Sequence, residues 1–391
     1  MERVEFSGER SELHLYLNFA RGGRFACPGC QEAVGAYDSE ADRVWRHLNF
    51  FQYETYLHAR RPRVRCPQCG VKTVEVPWAR SGSGFTLLFE AMVMTLAQAM
   101  PVKAAARLMG ERDQRLWRMI EHYVTEACAR VTMDSVRAVG VDETAARRGH
   151  DYVTIFADLE QARVLLVEAG RDKATVAAFR RELSTHGGDP DQIRVFCSDL
   201  APGYQVGLVE QFPKARVVLD RFHVMQWLNR AVDEVRRKEV RENALLRRTR
   251  YLWLKNPANL TPHQAQQLDV LQTMNTATAL AYQMKLTFQE FWELQDRQTA
   301  AAFLRRWFLW VDSSPIAHVM KKTARTLLAS AHCLLTYFDD PVSNGLLEGL
   351  NSLFQAAKAK ARGFRTTHYL KLVLYLVAGK LDFSFALTHT K

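Results

Sequence analysis

Two apolar runs end on aspartates, Ala138-Val139-Gly140-Val141-Asp142 and Ile193-Arg194-Val195-Phe196-Cys197-Ser198-Asp199. A lone glutamate, Glu348, stands far downstream in Ser343-Asn344-Gly345-Leu346-Leu347-Glu348-Gly349-Leu350-Asn351. A carboxylate at the carboxyl end of a buried strand sits at a sheet edge, within reach of solvent. Three such acids drawn together offer hard oxygen donors, the set that holds Mg2+ or Mn2+. Two ions about 3.5–4 Å apart suit in-line phosphoryl transfer: one activates a water or a 3′-hydroxyl, the other stabilises the leaving 3′-oxygen. Asp142 is followed by Glu143, and either acid can serve as the ligand; the strand-end position favours Asp142. Taken singly, each acid reads as a surface or helix-capping residue. Their order on two strands and a helix reverses that reading.

Asp220-Arg221-Phe222-His223 follows the strand expected beside the one carrying Asp199. Both Asp220 and His223 are therefore expected near the acids in a supporting role. His223 then touches the scissile phosphate or orients a carboxylate. The plainer alternative is that Asp220 caps the next helix, with Val224 and Trp227 in the core.

Cys27-Pro28-Gly29-Cys30 and Cys66-Pro67-Gln68-Cys69-Gly70 are two C-P-x-C turns, each able to aim a pair of thiolates at one ion. Together Cys27, Cys30, Cys66 and Cys69 form the four-sulfur shell of a structural zinc. Seven cysteines, an odd number, without an amino-terminal apolar stretch, point to a reducing cytosol and metal ligation, not disulfides. The segment between the turns is longer than in compact zinc ribbons, so His47 and His58 stand as alternative ligands.

Pro101 to Gly110 followed by Glu111 to Arg118 fits a helix-turn-helix, with Leu116, Met119 and Ile120 facing a core. Arg112, Arg115 and Arg118 recur on one side of the second helix, as residues that read a major groove do. A second basic stretch, Lys358, Lys360, Arg362 and Arg365, follows Glu348 and is a further candidate DNA contact.

The elements that must position these groups follow from texture. The 391 residues carry a formal charge of +11, 48% apolar and 24% charged residues, which describes a folded, multidomain, basic chain. That balance favours an anionic partner, nucleic acid first. No apolar run is long enough to span a membrane. Residues 1–80 read as a zinc-ribbon domain with a strand at Thr73-Val74-Glu75-Val76, and Ser81-Gly82-Ser83-Gly84 reads as a linker. Residues 85–135 read as the helix-turn-helix domain, broken near Pro101 and Gly110. From Ala138 the pattern predicts three antiparallel strands, then helix, strand, helix, strand, the element order of a ribonuclease-H-like sheet. That core spans 136–223, is interrupted by an all-α insertion over 224–340, and resumes with the helices of 341–391. The fold class is thus multidomain α/β.

At this point the chain resembles the DDE transposases of bacterial insertion sequences, and most closely the family written ISL3. The resemblance covers nearly the whole chain. It rests on the C-P-x-C pairs, Val141-Asp142-Glu143-Thr144, Ser198-Asp199-Leu200 with Tyr204, and Phe212-Pro213-Lys214-Ala215. Asp220-Arg221-Phe222-His223-Val224, Ser343-Asn344-Gly345 with Glu348-Gly349 and Asn351, and Arg362-Gly363-Phe364-Arg365 complete it. It implies that Asp142, Asp199 and Glu348 are the catalytic metal ligands. Asp220 and His223 match the C/D-x-x-H signature of related eukaryotic transposases. It also implies Mg2+-dependent cut-and-paste movement, with terminal inverted repeats and target DNA as double-stranded partners. A homodimer or larger assembly on DNA in the bacterial nucleoid is expected. The alternative is a catalytically silent DNA-binding regulator derived from such an enzyme.

Overall fold

The computed structural model describes residues 1–145, 152–199, 202–342 and 345–384; the side chains of 145, 202, 203, 205, 347 and 348 lie outside that description. The chain forms two compact units, one of residues 1–131 with 356–391 and one of residues 132–355.

The first unit opens with eight strands: β1 (Arg3–Ser7), β2 (Glu12–Leu17), β3 (Arg24–Ala26), β4 (Ala33–Ser39), β5 (Arg43–Phe50), β6 (Tyr53–Ala59), β7 (Pro62–Cys66) and β8 (Gly70–Thr73). They form two four-stranded sheets, β1-β2-β6-β5 and β3-β4-β7-β8. The second sheet carries the cysteine turns. The long segment between those turns has its own use: its β5-β6 hairpin joins β1 and β2, with β2 parallel to β6. Alternation sorts the faces of that sheet. Leu15, Leu17, Leu57 and Ala59 pack with Trp45 against Trp78 and Ala79, while Glu12, His14, Tyr16, Tyr56 and His58 take the other face. The strand expected over 73–76 ends at Thr73. Val74 N–H donates to Pro62 O, where β7 begins, so no partner remains for continued pairing.

Three helices follow, α1 (Leu87–Ala99), α2 (Val102–Leu108) and α3 (Asp113–Ala129). Thr86 caps α1, and Pro101 and Gly110 break the run as their chemistry requires; Gly110 has φ +68°, a value that suits glycine. Leu116, Met119 and Ile120 are buried, as α3's periodicity predicts. The Ser81–Gly84 stretch is tied down at its end: Ser83 Oγ, Arg80 Nε and Tyr123 OH all donate to the fully buried Glu90 carboxylate at 2.6–2.9 Å.

The second unit holds a five-stranded sheet of β9 (Ala138–Ala145), β10 (Tyr152–Asp158), β11 (Arg163–Ala169), β12 (Val195–Ser198) and β13 (Arg216–Leu219), in the order β11-β10-β9-β12-β13. The first three are antiparallel; β12 runs parallel to both β9 and β13. Helix α4 (Lys173–Thr185) precedes β12 and α5 (Pro202–Gln211) follows it. Phe156 and Phe196 of the sheet meet Phe179 and Phe212, with Phe156 and Phe179 stacked at 4.5 Å. Gly207 lets α5 approach α4, because a Cβ there would meet Lys173 Cα at 3.0 Å.

From Arg221 to Thr336 the described elements are helical: α6 (Arg221–Glu239), α7 (Arg250–Leu254), α8 (Pro262–Gln272), α9 (Ala277–Glu290), α10 (Arg297–Ser313), α11 (His318–Ala329) and α12 (Ala331–Thr336), with short 3-10 turns between. Their common core includes Leu228, Val232, Trp253, Tyr282, Phe288, Phe291 and Trp307. Helix α13 (Gly345–Ala361) carries Glu348. The last helix, α14 (Thr367–Ala378), buries Leu372, Val373 and Leu376 with the residues of α1 and α3.

Candidate functional site

Parallel pairing sets the level of the acids. Cys197 pairs with Gly140 and Ser198 with Leu219. Continuing both registers to Asp199 puts it level with Asp142 on one side and Asp220 on the other, with neighbouring chains about 4.8 Å apart. One expectation needs correcting. Asp142 is not at a strand end, since β9 runs on to Ala145 and Ile155 of β10 faces Asp142. The antiparallel partner extends the strand, and only the parallel ladder with β12 stops short of it.

Asp142 is 9% exposed and held from several directions. Its Oδ1 accepts the Glu143 backbone N–H at 2.7 Å and lies 3.8 Å from His223 Nε2. Its Oδ2 accepts from Asn351 Nδ2 of α13. His223 Nδ1 is 2.7 Å from Asp220 Oδ2, and Asp220 also caps α6 by accepting Phe222 N–H at 3.3 Å. Capping and partnership with His223 therefore coexist. Val224 is buried and Trp227 packs against the helical core, as the capping alternative expects.

The electrostatics bind the group together. Burial, chiefly, pushes the Asp142 carboxyl above its ordinary range; the charges of His223 and the two N–H donors oppose this, and Asp199 adds to it. Glu143 is raised by burial and by Asp199, against a hydrogen bond from Tyr204. Burial alone lowers His223, but the bond to Asp220 and the charges of Asp142, Asp220 and Asp199 outweigh it and raise the imidazole above its ordinary value. Tyr204, whose hydroxyl also meets Thr154 Oγ1 at 2.6 Å, is pushed up by burial and by Glu143. Asp142 and Glu143 are raised by burial, and Asp199 repels both. Among the described residues the buried Oδ1 of Asn351 has no hydrogen-bond partner. Oxygen donors and mutually repelling carboxylates fit a hard divalent cation.

Glu348 belongs to α13, but its side chain, like residues Ser343 and Asn344 before the helix, lies outside the described residues. Sequence reasoning gave no role to Gln355, and named Tyr204 and Asn351 only as parts of the family motifs. Gln355 Nε2 donates to Thr144 Oγ1 at 3.4 Å. Spacing held the signal for two of them: Asn351 and Gln355 follow Glu348 by three and seven residues, one face of a helix.

The zinc reading rests on the other unit. The ligand atoms of Cys27, Cys30, Cys66 and Cys69 lie within 4.8 Å of one another, and Cys30 Sγ is 3.5 Å from Cys66 Sγ. A tetrahedral shell with Zn–S of about 2.3 Å needs sulfurs about 3.8 Å apart, so the four suit zinc. N–H groups of Gly29 and Cys30 lower the Cys27 thiol to about 7, which prepares a thiolate. The histidines are engaged elsewhere: His47 Nδ1 meets Thr86 Oγ1 at 2.9 Å, and His58 Nε2 meets His14 Nδ1 at 2.9 Å.

Of the candidate DNA contacts on α3, Arg112 and Arg118 are exposed. Arg115 is half-buried, paired with Glu111 at 2.7 Å and stacked over Phe85 at 4.1 Å. Lys360, Arg362 and Arg365 are exposed, while Lys358 is half-buried and lowered by burial. Among the described residues no helix is long and apolar enough to cross a membrane.

Comparison with known proteins gives the family. A family model described as a transposase matches residues 139–374. The helix-turn-helix domain of transposase family ISL3 matches residues 74–124, and the zinc finger of the IS204/IS1001/IS1096/IS1165 transposases matches residues 23–73. The chain is 28% identical to the transposase for insertion sequence element IS1557 of Mycobacterium tuberculosis, across 90% of this chain and 86% of that one. It is 26% identical to the transposase for insertion sequence element IS1001 of Bordetella parapertussis, across 95% and 93%. These matches support a DNA transposase, not the regulator alternative. The chain belongs to the ISL3 family of transposases.

Proposed function

We propose that this chain moves an insertion sequence by cutting and joining DNA at its terminal inverted repeats, with Asp142, Asp199 and Glu348 as ligands of catalytic Mg2+ or Mn2+. The observation that carries this reading is the parallel register of β12 with β9, which carried on past Cys197 and Gly140 brings Asp199 level with Asp142, together with His223 Nε2 at 3.8 Å from Asp142. Helical periodicity puts position 348 on the stripe of Asn351 and Gln355, whose side chains meet β9, and that supports Glu348 as the third acid. The sheet order suits a ribonuclease-H-like core, with the helices between β13 and α13 as an insertion into it. The finer domain division, at 1–80, 85–135, 136–223, 224–340 and 341–391, is part of the same proposal.

When bound, divalent ions supply an activated oxygen nucleophile and neutralise charge on the leaving 3′-oxygen. The chain's own residues do the rest. Asn351 and the Glu143 N–H fix the two oxygens of Asp142. Asp220 aims His223 at the acids and favours its protonated form, and there the imidazole meets the scissile phosphate or steadies Asp142. The zinc sheet and the arginines of α3, Arg112, Arg115 and Arg118, bind the repeats. Lys358, Lys360, Arg362 and Arg365 contact the DNA backbone. Two ends must be handled together, so a homodimer or larger assembly works on the DNA, in the nucleoid.

The test uses purified protein, linear DNA with the element's ends, and Mg2+. Asp199→Ala and Glu348→Ala abolish cleavage and retain end binding. Undiminished cleavage by both variants rejects the assignment.

A further inference from the structure

Helix α6 leads away from the candidate acids, and one of its faces continues in arginine. His223, Gln226, Arg230, Asp233 and Arg237 follow one another at intervals of three, four, three and four residues. At 100° per residue they stay within a stripe about 80° wide. Beyond His223 this stripe lines a cavity of about 310 Å³, which Asn229 of α6 and Arg250 of α7 help to form.

The cavity is built. Asp233 is 8% exposed. Its Oδ1 accepts Arg236 Nη2 at 2.7 Å and Nε at 3.0 Å, and its Oδ2 lies 3.3 Å from Arg250 and 3.6 Å from Arg237. Arg230 is braced by Gln226 Oε1 at 2.7 Å. The single carboxylate is thus surrounded by more guanidinium charge than it neutralises. The side chains of Arg237 and Arg250 remain 66% and 54% exposed, so that surplus faces solvent. Asn229 Oδ1 is buried without a partner, and a turn of the amide presents an N–H2 in its place. Fixed guanidiniums with further N–H donors recognise an oxyanion bearing several acceptor oxygens, as a phosphodiester does.

We propose that this face of α6 is a track for the DNA backbone, gripping phosphates that flank the bond held at His223. The inference rests on the transposase reading for the location of that bond. A rise of 1.5 Å per residue puts Arg230 about 10 Å and Arg237 about 21 Å from His223. At 3.4 Å per nucleotide of one strand, those distances fall about three and about six nucleotides from the cleaved position.

The experiment measures binding and cleavage of end DNA by the full chain, as wild type and as Arg230→Gln/Arg237→Gln. The slope of log affinity against log salt falls by about 1.8 in the variant, or about tenfold in affinity between 50 and 200 mM salt, irrespective of base sequence. Neutral methylphosphonates placed about three and six nucleotides from the cleaved bond weaken wild-type binding and leave the variant unaffected. The methylphosphonate arm needs no mutation, so it decides the matter even for a variant that folds poorly. Wild type that binds and cuts, yet tolerates both neutral phosphates with an unchanged slope, overturns the track alone. Wild type that neither binds nor cuts the ends overturns the transposase reading itself.

Discussion

Replacing Asp220 by asparagine separates helix capping from the support of His223. Asp220 is 2% exposed and performs both tasks, through Oδ1 to Phe222 N–H and through Oδ2 to His223 Nδ1. Asparagine caps a helix about as well as aspartate, so α6 persists. With its one oxygen on Phe222 N–H it turns an N–H2 toward His223, so both the acceptor and the charge facing the imidazole are lost. A hydrogen bond to a charged group contributes about 1.5–3 kcal/mol and a neutral one about 0.5–1.5 kcal/mol. The hold on His223 therefore loses the whole charged hydrogen bond, about 1.5–3 kcal/mol. At about 1.4 kcal/mol per factor of ten, cleavage slows about 10- to 150-fold. The pH response has a definite sign. Asp220 is one of the groups that raise His223, so its loss lowers the imidazole's pKa. Any limb of the rate profile that needs protonated His223 then moves to lower pH. Single-turnover cleavage with saturating protein, followed across pH and beside a binding titration, measures all three quantities. A rate and profile identical to wild type refute the reasoning. Binding that falls in step with the rate would make Asp220 a folding residue only.

The buried Cys27, Val64 and Cys66 form too small a core to hold the cysteine sheet without metal, and structural zinc contributes about 10–16 kcal/mol in small domains. Cys66→Ser or a strong chelator should release one zinc per chain and open residues 23–73 to protease while 132–355 stays resistant; equal resistance with and without metal counts against a structural ion. Lys285, 1% exposed and donating to Trp253 O at 2.8 Å, is lowered to about 8 by burial. Its charged form is disfavoured on folding, so the penalty is complete below pH 8 and vanishes as pH rises to the ordinary lysine value of 10.5. Urea unfolding should show wild type gaining about 3 kcal/mol on Lys285→Met between pH 7 and 10.5, and parallel curves would contradict a buried ammonium.

Some of this molecule is written locally. The cysteine turns, the breaks at Pro101 and Gly110, and the strand and helix order from Ala138 to Leu219 all come from residues a few positions apart. Short-range backbone preference and apolar period suffice to specify them. The aspartates were read from the same kind of local pattern, an apolar run followed by an acid, and for Asp142 that pattern set a strand end where β9 in fact runs on. Glu348 was read only as one motif among short ones. Other features depend on partners that no local pattern names. Pairing of β2 with β6 builds a second sheet from strands on either side of a cysteine turn, because each exposes an apolar face that the other helps to cover. The continuation of β9 through Asp142 depends on β10 lying beside it. The bond from Asn351 to Asp142 joins residues 209 apart. The sequence by itself determined which chemistry is present, since donor types and local turns are properties of neighbouring residues. Tertiary structure decided which donors meet, because strand register and helix face are chosen by burial of apolar surface across the whole unit.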